Sequence, residues 1–366
     1  MTSLSADLST DISTWLDAEA VHLDVAADGA ATVVPRLADA GLFRIGVARE
    51  RGGNGGTIVD AVAAITAVSE RSLAAGFVFW GHRTFIEYLL QSPNAALREK
   101  LLPDLLTGRR AGASGLSNAM KFLSGIEQLQ IRAHGIDHGR LRIDGRLPWV
   151  TNLRPAGFDV AVAVQGNSHE PAFVAALSSE DEGLERSADL DLMAMRATNT
   201  AALTFDSVRI GPDRILHRNA SEWLPRVRPA FLALQCAMSI GLARRALAEA
   251  SSRLRENDLL GEPVATLTAD LAAAEATLND GLTGIRFVER PAQLFRLRIR
   301  LAEIAAEAIQ LELYANGGRA YLSGPGAAFQ RRQREAVFLP IITPSLVQLK
   351  LALQVQELPA AIGATA

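Results

Sequence analysis

Residues 146–152, with the sequence Arg-Leu-Pro-Trp-Val-Thr-Asn, decide how this chain is interpreted. They follow an Asp144-Gly145 pair between two runs of alternating apolar residues. Such a pair favours a two-residue hairpin turn, because the central residues of that turn need a positive φ. Side chains two apart on a strand share a face, so Trp149 and Thr151 are predicted to lie side by side. A flat ring beside a hydroxyl donor suits a flat heteroaromatic ligand, although the same pair also occurs where a strand faces a core.

The chain changes character on either side of this strand. Residues 1–110 are predicted to be mostly helical, with apolar residues at helical spacing in 31–42, 58–72 and 95–106. Residues 111–218 are predicted to form an antiparallel β unit with strands at 158–164, 172–177 and 201–210. Residues 219–366 return to helix, and long amphipathic helices with short connections indicate a bundle.

Composition narrows the class of protein. The chain has 366 residues, 49% of them hydrophobic, and a net charge of -3, so it has core material but no broad basic field for nucleic acid. The single Cys236 excludes an intramolecular disulfide and predicts a buried thiol. Residues 1–14 have no signal-peptide pattern, and the apolar run 230–243 is too short to span a bilayer. We therefore expect a soluble cytoplasmic protein without a membrane or nucleic-acid partner.

Several weak motifs gain weight from their order along the chain. They are Leu-Ala-Asp-Ala-Gly-Leu-Phe at 37–43, a glycine cluster at 52–56, Leu-Leu-Pro-Asp-Leu-Leu-Thr-Gly at 101–108, the Trp149 strand, Leu-Thr-Phe-Asp at 203–206, and Asn-Gly-Gly-Arg-Ala-Tyr at 316–321. In this order the chain resembles the acyl-CoA dehydrogenase superfamily from about residue 34 to about residue 351. The resemblance implies an α+β fold with an N-terminal helical domain, a middle antiparallel β domain and a C-terminal four-helix bundle.

The resemblance also implies a flavin cofactor, FAD or alternatively FMN, between the β domain and the bundle. It implies that Trp149 packs on the flavin ring and that Thr151 donates a hydrogen bond to its reactive edge. The family loop that leads into the β domain is altered here. Ser114, Ser117 and Asn118 still offer donors to the flavin ring in that loop, and Lys121 could pair with a phosphate, although an ordinary polar loop explains the same residues.

The family's cross-subunit dinucleotide motif is altered too. The chain keeps its Gly-x-Pro element at 261–263, but the arginine lies out of register at Arg255, which leaves FAD binding in doubt and makes FMN possible. Gly317 and Gly318 match a turn that approaches a neighbouring subunit's cofactor in the family, and they equally match a simple helix C-cap. A homo-oligomer, either a dimer or a tetramer, is implied, with a heteromer of related subunits as the alternative.

The position of the family's catalytic base is the main departure. A Glu in that position removes the acyl α-proton in the family, and here the position holds Ile342, which cannot accept a proton. Some members place the Glu on an earlier bundle helix, but the matching residues 230–235 contain no carboxylate. Ordinary acyl-CoA dehydrogenation is therefore not expected.

His82 is the histidine that we consider for catalysis. The resemblance extends to flavin monooxygenases that use a His from this region, so His82 and Thr151 are the candidate catalytic residues near the flavin. A lone His on an apolar helix is more often structural. The other histidines are scattered without metal-ligand spacing, so no metal site is predicted; they are His22, His134, His138, His169 and His217.

Three functions remain open on the sequence. The first is a flavin-dependent oxidoreductase of the monooxygenase or oxidase type acting on a small molecule. The second is an acyl-CoA dehydrogenase that oxidises an acyl thioester with a displaced base, either Glu87 or Glu335. The third is a non-catalytic subunit of a heteromeric flavoprotein.

Overall fold

A computed structural model describes residues 8–123, 125, 127–135, 140–166, 170–256 and 258–357. His138 and His169 lie outside the described residues.

The described residues of the N-terminal part form five α-helices. They are α1 (Thr10–Val25), α2 (Ala30–Asp39), α3 (Ile58–Ser69), α4 (Leu73–Gln91) and α5 (Ala95–Leu106). The predicted helices at 31–42, 58–72 and 95–106 are confirmed as α2, α3 and α5. Helix α3 begins with a capping box in which Thr57 and Asp60 satisfy each other's backbone N–H groups. Helix α4 is buried along almost its whole length and runs through the centre of this part.

The middle part contains a short helix and two four-stranded sheets. Its elements are β1 (Ala111–Ser114), α6 (Ser117–Leu123), β2 (Ile131–Gly135), β3 (Leu141–Val150), β4 (Phe158–Val164), β5 (Phe173–Ser178), β6 (Leu184–Asp189), β7 (Ala201–Ile210) and β8 (Ile215–His217). The sheet orders are β1-β4-β5-β8 and β2-β3-β7-β6. The strand pairs are antiparallel apart from β1 with β4, which is parallel. The predicted antiparallel β unit is therefore confirmed, with one parallel pair added.

The predicted hairpin turn at Asp144-Gly145 is wrong. Both residues lie inside the continuous strand β3, at a register shift against β7. Gly145 has φ 149°, and a Cβ there would lie 2.5 Å from the carbonyl oxygen of Gln130. A glycine that permits an unusual φ serves a β-bulge as well as a turn, so the pair alone does not distinguish the two.

The C-terminal part is a helical bundle. Its elements are α7 (Ala220–Ser251), α8 (Gly261–Leu282), α9 (Arg286–Glu289), α10 (Pro291–Asn316), α11 (Ala327–Ala336) and α12 (Leu346–Glu357). Helices α7, α8, α10 and α12 pack as the predicted four-helix bundle, and α7 also packs on α3 and α4. Helix α7 is long and apolar enough to cross a membrane, but 89% of its most apolar window is buried in the protein, so core packing accounts for its composition. Cys236 is buried within α7, as predicted, and burial raises the pKa of its thiol to about 12.

Candidate functional site

A pocket of about 310 Å³ opens where the three parts of the chain meet. Its lining comes from α4, from the loop and short helix after β1, from the end of β3, and from the segment that follows α11. Ligand pockets commonly have volumes of about 300 to 1,000 Å³, so this one can hold a small molecule or one end of a larger one.

Three of the lining residues carry a hydroxyl and a fourth carries an indole, and we call Ser114, Ser117, Trp149 and Thr151 the hydroxyl wall. The indole of Trp149 is 48% exposed, which leaves ring surface free for a ligand, while Thr151 is buried. Both residues line the pocket, so the structure brings together the pair that the sequence predicts on one face. The hydroxyl of Thr151 lies 3.0 Å from that of Thr200.

The polar residues of β1 and α6 differ in what they can offer a ligand. The Ser114 hydroxyl lies 3.0 Å from the Tyr88 hydroxyl, whose pKa is raised by burial. Ser117 lines the pocket and has no hydrogen-bond partner among the described residues. The two donors of Asn118 are instead taken by Glu127, at 2.7 Å, and by the carbonyl of Gln128, at 3.2 Å. The prediction that Asn118 donates to a flavin ring is therefore not supported by its contacts.

A second group of lining residues is apolar, and we call Phe77, Trp80, Phe338, Ile341 and Ile342 the aromatic wall. The rings of Phe77 and Trp80 stack with centroids 5.4 Å apart and planes within 6°. Phe338 meets the edge of Phe77 at 4.9 Å. Offset and edge-to-face contacts of this kind stabilise aromatic clusters.

The carboxylates named as displaced bases lie elsewhere. Glu87 pairs with Arg83 at 2.8 Å, and Glu335 is fully buried against Arg331 at 3.1 Å. Burial raises the pKa of Glu335, although Arg331 opposes that effect. Neither residue is among those that line the pocket, so neither is placed to act as a base there. Among the described lining residues Glu127 is the one carboxylate, and it pairs with Lys121 at 3.2 Å.

His82 is placed by the structure on the far side of α4 from the pocket. Its Nε2 donates to the carbonyl of Leu105 at 2.9 Å, and its Nδ1 accepts the backbone N–H of Gly112 at 3.0 Å. The ring stacks on Phe43 at 3.8 Å, and burial lowers its pKa to about 3. Both nitrogens of the neutral ring are used, and a neutral buried ring with no free nitrogen cannot exchange a proton with a ligand. His82 is therefore a structural residue, and its predicted catalytic role is not supported.

Three predicted cofactor residues lie outside this pocket. Arg255 is exposed in the loop between α7 and α8, and Gly317 and Gly318 are exposed at the end of α10. A Cβ on either glycine would meet nothing within 4 Å, and Gly317 forms the C-cap of α10 with φ 55°. Within one chain these residues therefore do not join Trp149 and Thr151.

Behind the aromatic wall lies a polar pair that sequence reasoning missed. Gln235 on α7 donates to the carbonyl of Thr343 at 3.2 Å and accepts from Arg298 Nε at 2.9 Å. Arg298, fully buried on α10, also donates to the carbonyl of Leu339 at 2.7 Å. The pair thus fixes the segment that carries Ile341 and Ile342. The signal in the sequence was two polar residues interrupting apolar helical stripes.

The chain is similar in sequence to proteins of a known family. Residues 12–109 match the family model described as acyl-CoA dehydrogenase, N-terminal domain. The mitochondrial isovaleryl-CoA dehydrogenase of Pongo abelii is 27% identical over 190 residues, which are 50% of this chain and 44% of that protein. The chain therefore aligns with less than half of that relative's length.

Solved structures match over almost the whole chain. Butyryl-CoA dehydrogenase from Megasphaera elsdenii has a TM-score of 0.81 at 18% identity and covers 97% of both chains. Dibenzothiophene monooxygenase (TdsC) from Paenibacillus sp. A11-2 has a TM-score of 0.76 at 18% identity, with 97% of both chains covered. KijD3, in complex with FMN and a dTDP-linked amino sugar, has a TM-score of 0.77 at 20% identity and covers 97% of this chain and 93% of its own. These likenesses concern the fold, and together with the family-model match and the curated relatives they mean that the chain belongs to the acyl-CoA dehydrogenase superfamily.

Proposed function

We propose that this protein is a flavin-dependent oxidoreductase of the monooxygenase or oxidase type that uses no glutamate base at the family position. The observation that carries the proposal is one pocket lined by two unlike groups of residues. Trp149 and Thr151 line it together with the family's base position, Ile342, which is only 5% exposed. A flavin can be held there, but the sec-butyl side chain of Ile342 cannot take an α-proton.

The residues present fit the flat ring system of a flavin. The half-exposed indole of Trp149 offers a face for stacking, and Thr151 offers a hydroxyl donor in a place that water reaches poorly. Ser117 adds a second hydroxyl that no described residue engages. FAD and FMN share this ring system, and the KijD3 structure holds FMN.

A reduced flavin supplies electrons to dioxygen, which is the chemistry that monooxygenases and oxidases share. The aromatic wall would bind the apolar face of a small substrate and exclude water from it. Thr151 would hold a hydrogen bond to the cofactor ring. An aromatic or otherwise apolar small molecule is the substrate class that such a wall favours over a strongly charged one.

A second candidate function is acyl-CoA dehydrogenation with Glu127 as the base. It is favoured by the position of Glu127, the one carboxylate among the described lining residues. Against it stand the ion pair with Lys121 and the hydrogen bond from Asn118, both of which engage the same carboxylate oxygen.

Association of copies is part of the proposal. Exposed apolar side chains, Tyr314, Tyr321 and Leu322, surround the Gly317-Gly318 turn. Large exposed apolar patches commonly mark interfaces between proteins, so we propose a homo-oligomer formed through the bundles. Its cytoplasmic location stays a prediction from the sequence.

The first experiment is the visible absorption spectrum of the purified protein before and after adding FAD or FMN and desalting. We expect a retained flavin band in the wild type, loss of the band in the Trp149→Ala/Thr151→Ala variant, and retention in Trp149→Phe, which keeps an aromatic ring. Light scattering on the same preparation gives the oligomer mass. Failure to bind either flavin would contradict the proposal.

A substrate test separates the two candidate functions. Oxygen consumption by the chemically reduced protein, stimulated by aromatic small molecules, supports the monooxygenase or oxidase function. Bleaching of the flavin band by acyl-CoA thioesters, lost in Glu127→Gln, would support the dehydrogenase function instead.

A further inference from the structure

Two more hydroxyls lie in line behind Thr151. The Oγ1 atoms of Thr151 and Thr200 are 3.0 Å apart, and those of Thr200 and Thr198 are 2.8 Å apart. The three residues are 6%, 1% and 0% exposed, in that order from the pocket inward. A file of three hydroxyls therefore runs from the protein interior to the pocket.

The direction of the hydrogen bonds follows from counting donors. Each threonine hydroxyl has one proton to donate, and buried donors are almost always paired. Among the described residues, the Thr198 hydroxyl contacts only that of Thr200, so its proton goes to Thr200. The Thr200 proton then goes to its remaining neighbour, Thr151. The proton of Thr151 has no acceptor among the described residues and is left pointing into the pocket.

The backbone fixes this file of hydroxyls. Asn152 N–H donates to the carbonyl of Thr198 at 2.9 Å, and Leu153 N–H donates to that of Asn199 at 3.0 Å. Asn152 and Asn199 have positive φ values of 66° and 44°, and the Asn152 side chain donates to the carbonyl of Gly112 at 2.8 Å. Asparagine tolerates this backbone region better than most residues, so the two segments are held in register at modest strain.

We propose that Thr198 and Thr200 are positioning residues that make Thr151 a committed hydrogen-bond donor to the pocket. The ligand atom that meets Thr151 must then be an acceptor. Hydrogen bonds in series strengthen one another in a buried site, so the terminal donor is both oriented and polarised. The identity of the ligand as a flavin rests on the proposed function, whereas the direction of the file does not.

The direction can be tested on the protein without ligand by urea unfolding of Thr198→Val, Thr200→Val and the double variant. Thr200→Val removes the acceptor of the buried Thr198 proton and should lower the urea midpoint most. Thr198→Val leaves no unpaired donor and should have a smaller effect. The double variant removes the stranded donor, so its midpoint should lie above that of Thr200→Val alone.

Thr204→Val provides a matched control, because Thr204 is exposed on β7 a few residues further on. Its midpoint should equal that of the wild type. Additive effects in the double variant, or a larger effect of Thr198→Val than of Thr200→Val, would overturn the proposed direction.

Flavin titration tests whether Thr200 positions Thr151 for ligand binding. Thr200→Val should raise the flavin Kd about threefold to tenfold and shift the visible band, and Thr200→Ser should restore both. Unchanged binding and spectrum in Thr200→Val would overturn the positioning role. If the wild type binds no flavin while the double variant rescues stability, the proposed function fails and the direction of the file stands.

Discussion

The two walls of the pocket are both supported by buried polar groups, but they present opposite chemistry to a ligand. Behind the hydroxyl wall, the file from Thr198 to Thr200 ends in the Thr151 hydroxyl at the pocket surface. Behind the aromatic wall, the side chains of Gln235 and Arg298 end on the backbone carbonyls of Thr343 and Leu339. The first arrangement delivers a polar group to the pocket, and the second keeps polar groups away from it.

The contrast bears on the reaction. Thr151 and Ile342 line one cavity and are buried to nearly the same extent, 6% and 5% exposed. Hydrogen-bond donors for a cofactor therefore come from the hydroxyl wall, while a substrate on the aromatic wall meets rings and alkyl groups. A substrate that must lose a proton there would depend on Glu127 or on the bound cofactor.

Removing the support behind the aromatic wall should have the largest effect. Gln235→Met keeps the volume but leaves the buried Arg298 guanidinium with its Nε unpaired, in addition to Nη1, which already lacks a partner among the described residues. We expect a loss of about 3 kcal/mol in the free energy of unfolding, because a buried charge that loses a partner is costly. Urea unfolding measures it.

Gln310→Met is the matched control, since Gln310 is exposed on α10, the helix that carries Arg298. Its urea midpoint should equal that of the wild type. Equal urea midpoints for the two variants would mean that the pair of Gln235 and Arg298 does not support the aromatic wall. Only the hydroxyl wall would then have a buried polar support.

The link between the two walls should appear as a pH effect. His82 joins α4, which carries Trp80, to Gly112 on β1, the strand that ends at Ser114. Its pKa is about 3 in the folded protein against an ordinary value of 6.5, because burial disfavours the charged ring. The unfolded chain therefore binds a proton at His82 more readily than the folded protein does. As a result, the free energy of unfolding is unaffected by His82 above about pH 6.5 and falls by about 1.4 kcal/mol for each pH unit below it, down to about pH 3.

The measurement is the free energy of unfolding of wild type and His82→Gln between pH 4.5 and 7.5. The wild type should lose more stability than the variant on acidification, by about 3 kcal/mol at pH 4.5. His134→Gln, which changes an exposed histidine, should keep the wild-type slope. Parallel curves for wild type and His82→Gln would show that His82 titrates normally and is accessible to water.

Local pattern predicted much of the fold. Helices α3 and α5 and strands β4 and β7 were predicted because apolar periodicity depends on neighbouring residues alone. The pairing of Trp149 with Thr151 followed from the same periodicity. The Asp144-Gly145 hairpin was wrong because a turn and a bulge make the same demand on glycine.

Contacts between distant segments account for the rest of the site. The resemblance alone suggests His82 for catalysis, and the sequence does not show that both its ring nitrogens are used, because the partners Leu105 and Gly112 lie 23 and 30 residues away. Thr200 was missed because it meets Thr151 across 49 residues, and Gln235 meets Arg298 across 63. A single sequence contains no record of which polar residues satisfy one another after folding.

The smallest expected effects separate two neighbours at the start of α6. Ser117 has no hydrogen-bond partner among the described residues, whereas Asn118 donates to Glu127 and accepts the backbone N–H of Gln130 at 3.2 Å. We expect Ser117→Ala to leave stability unchanged and to weaken flavin binding about threefold. Asn118→Ala should lower the free energy of unfolding by about 1 kcal/mol, because it leaves the groups that it bridges without their partner. Urea unfolding and flavin titration of both variants distinguish these roles. If Ser117→Ala lowers stability and Asn118→Ala weakens flavin binding instead, Asn118 and not Ser117 is the donor to the ligand.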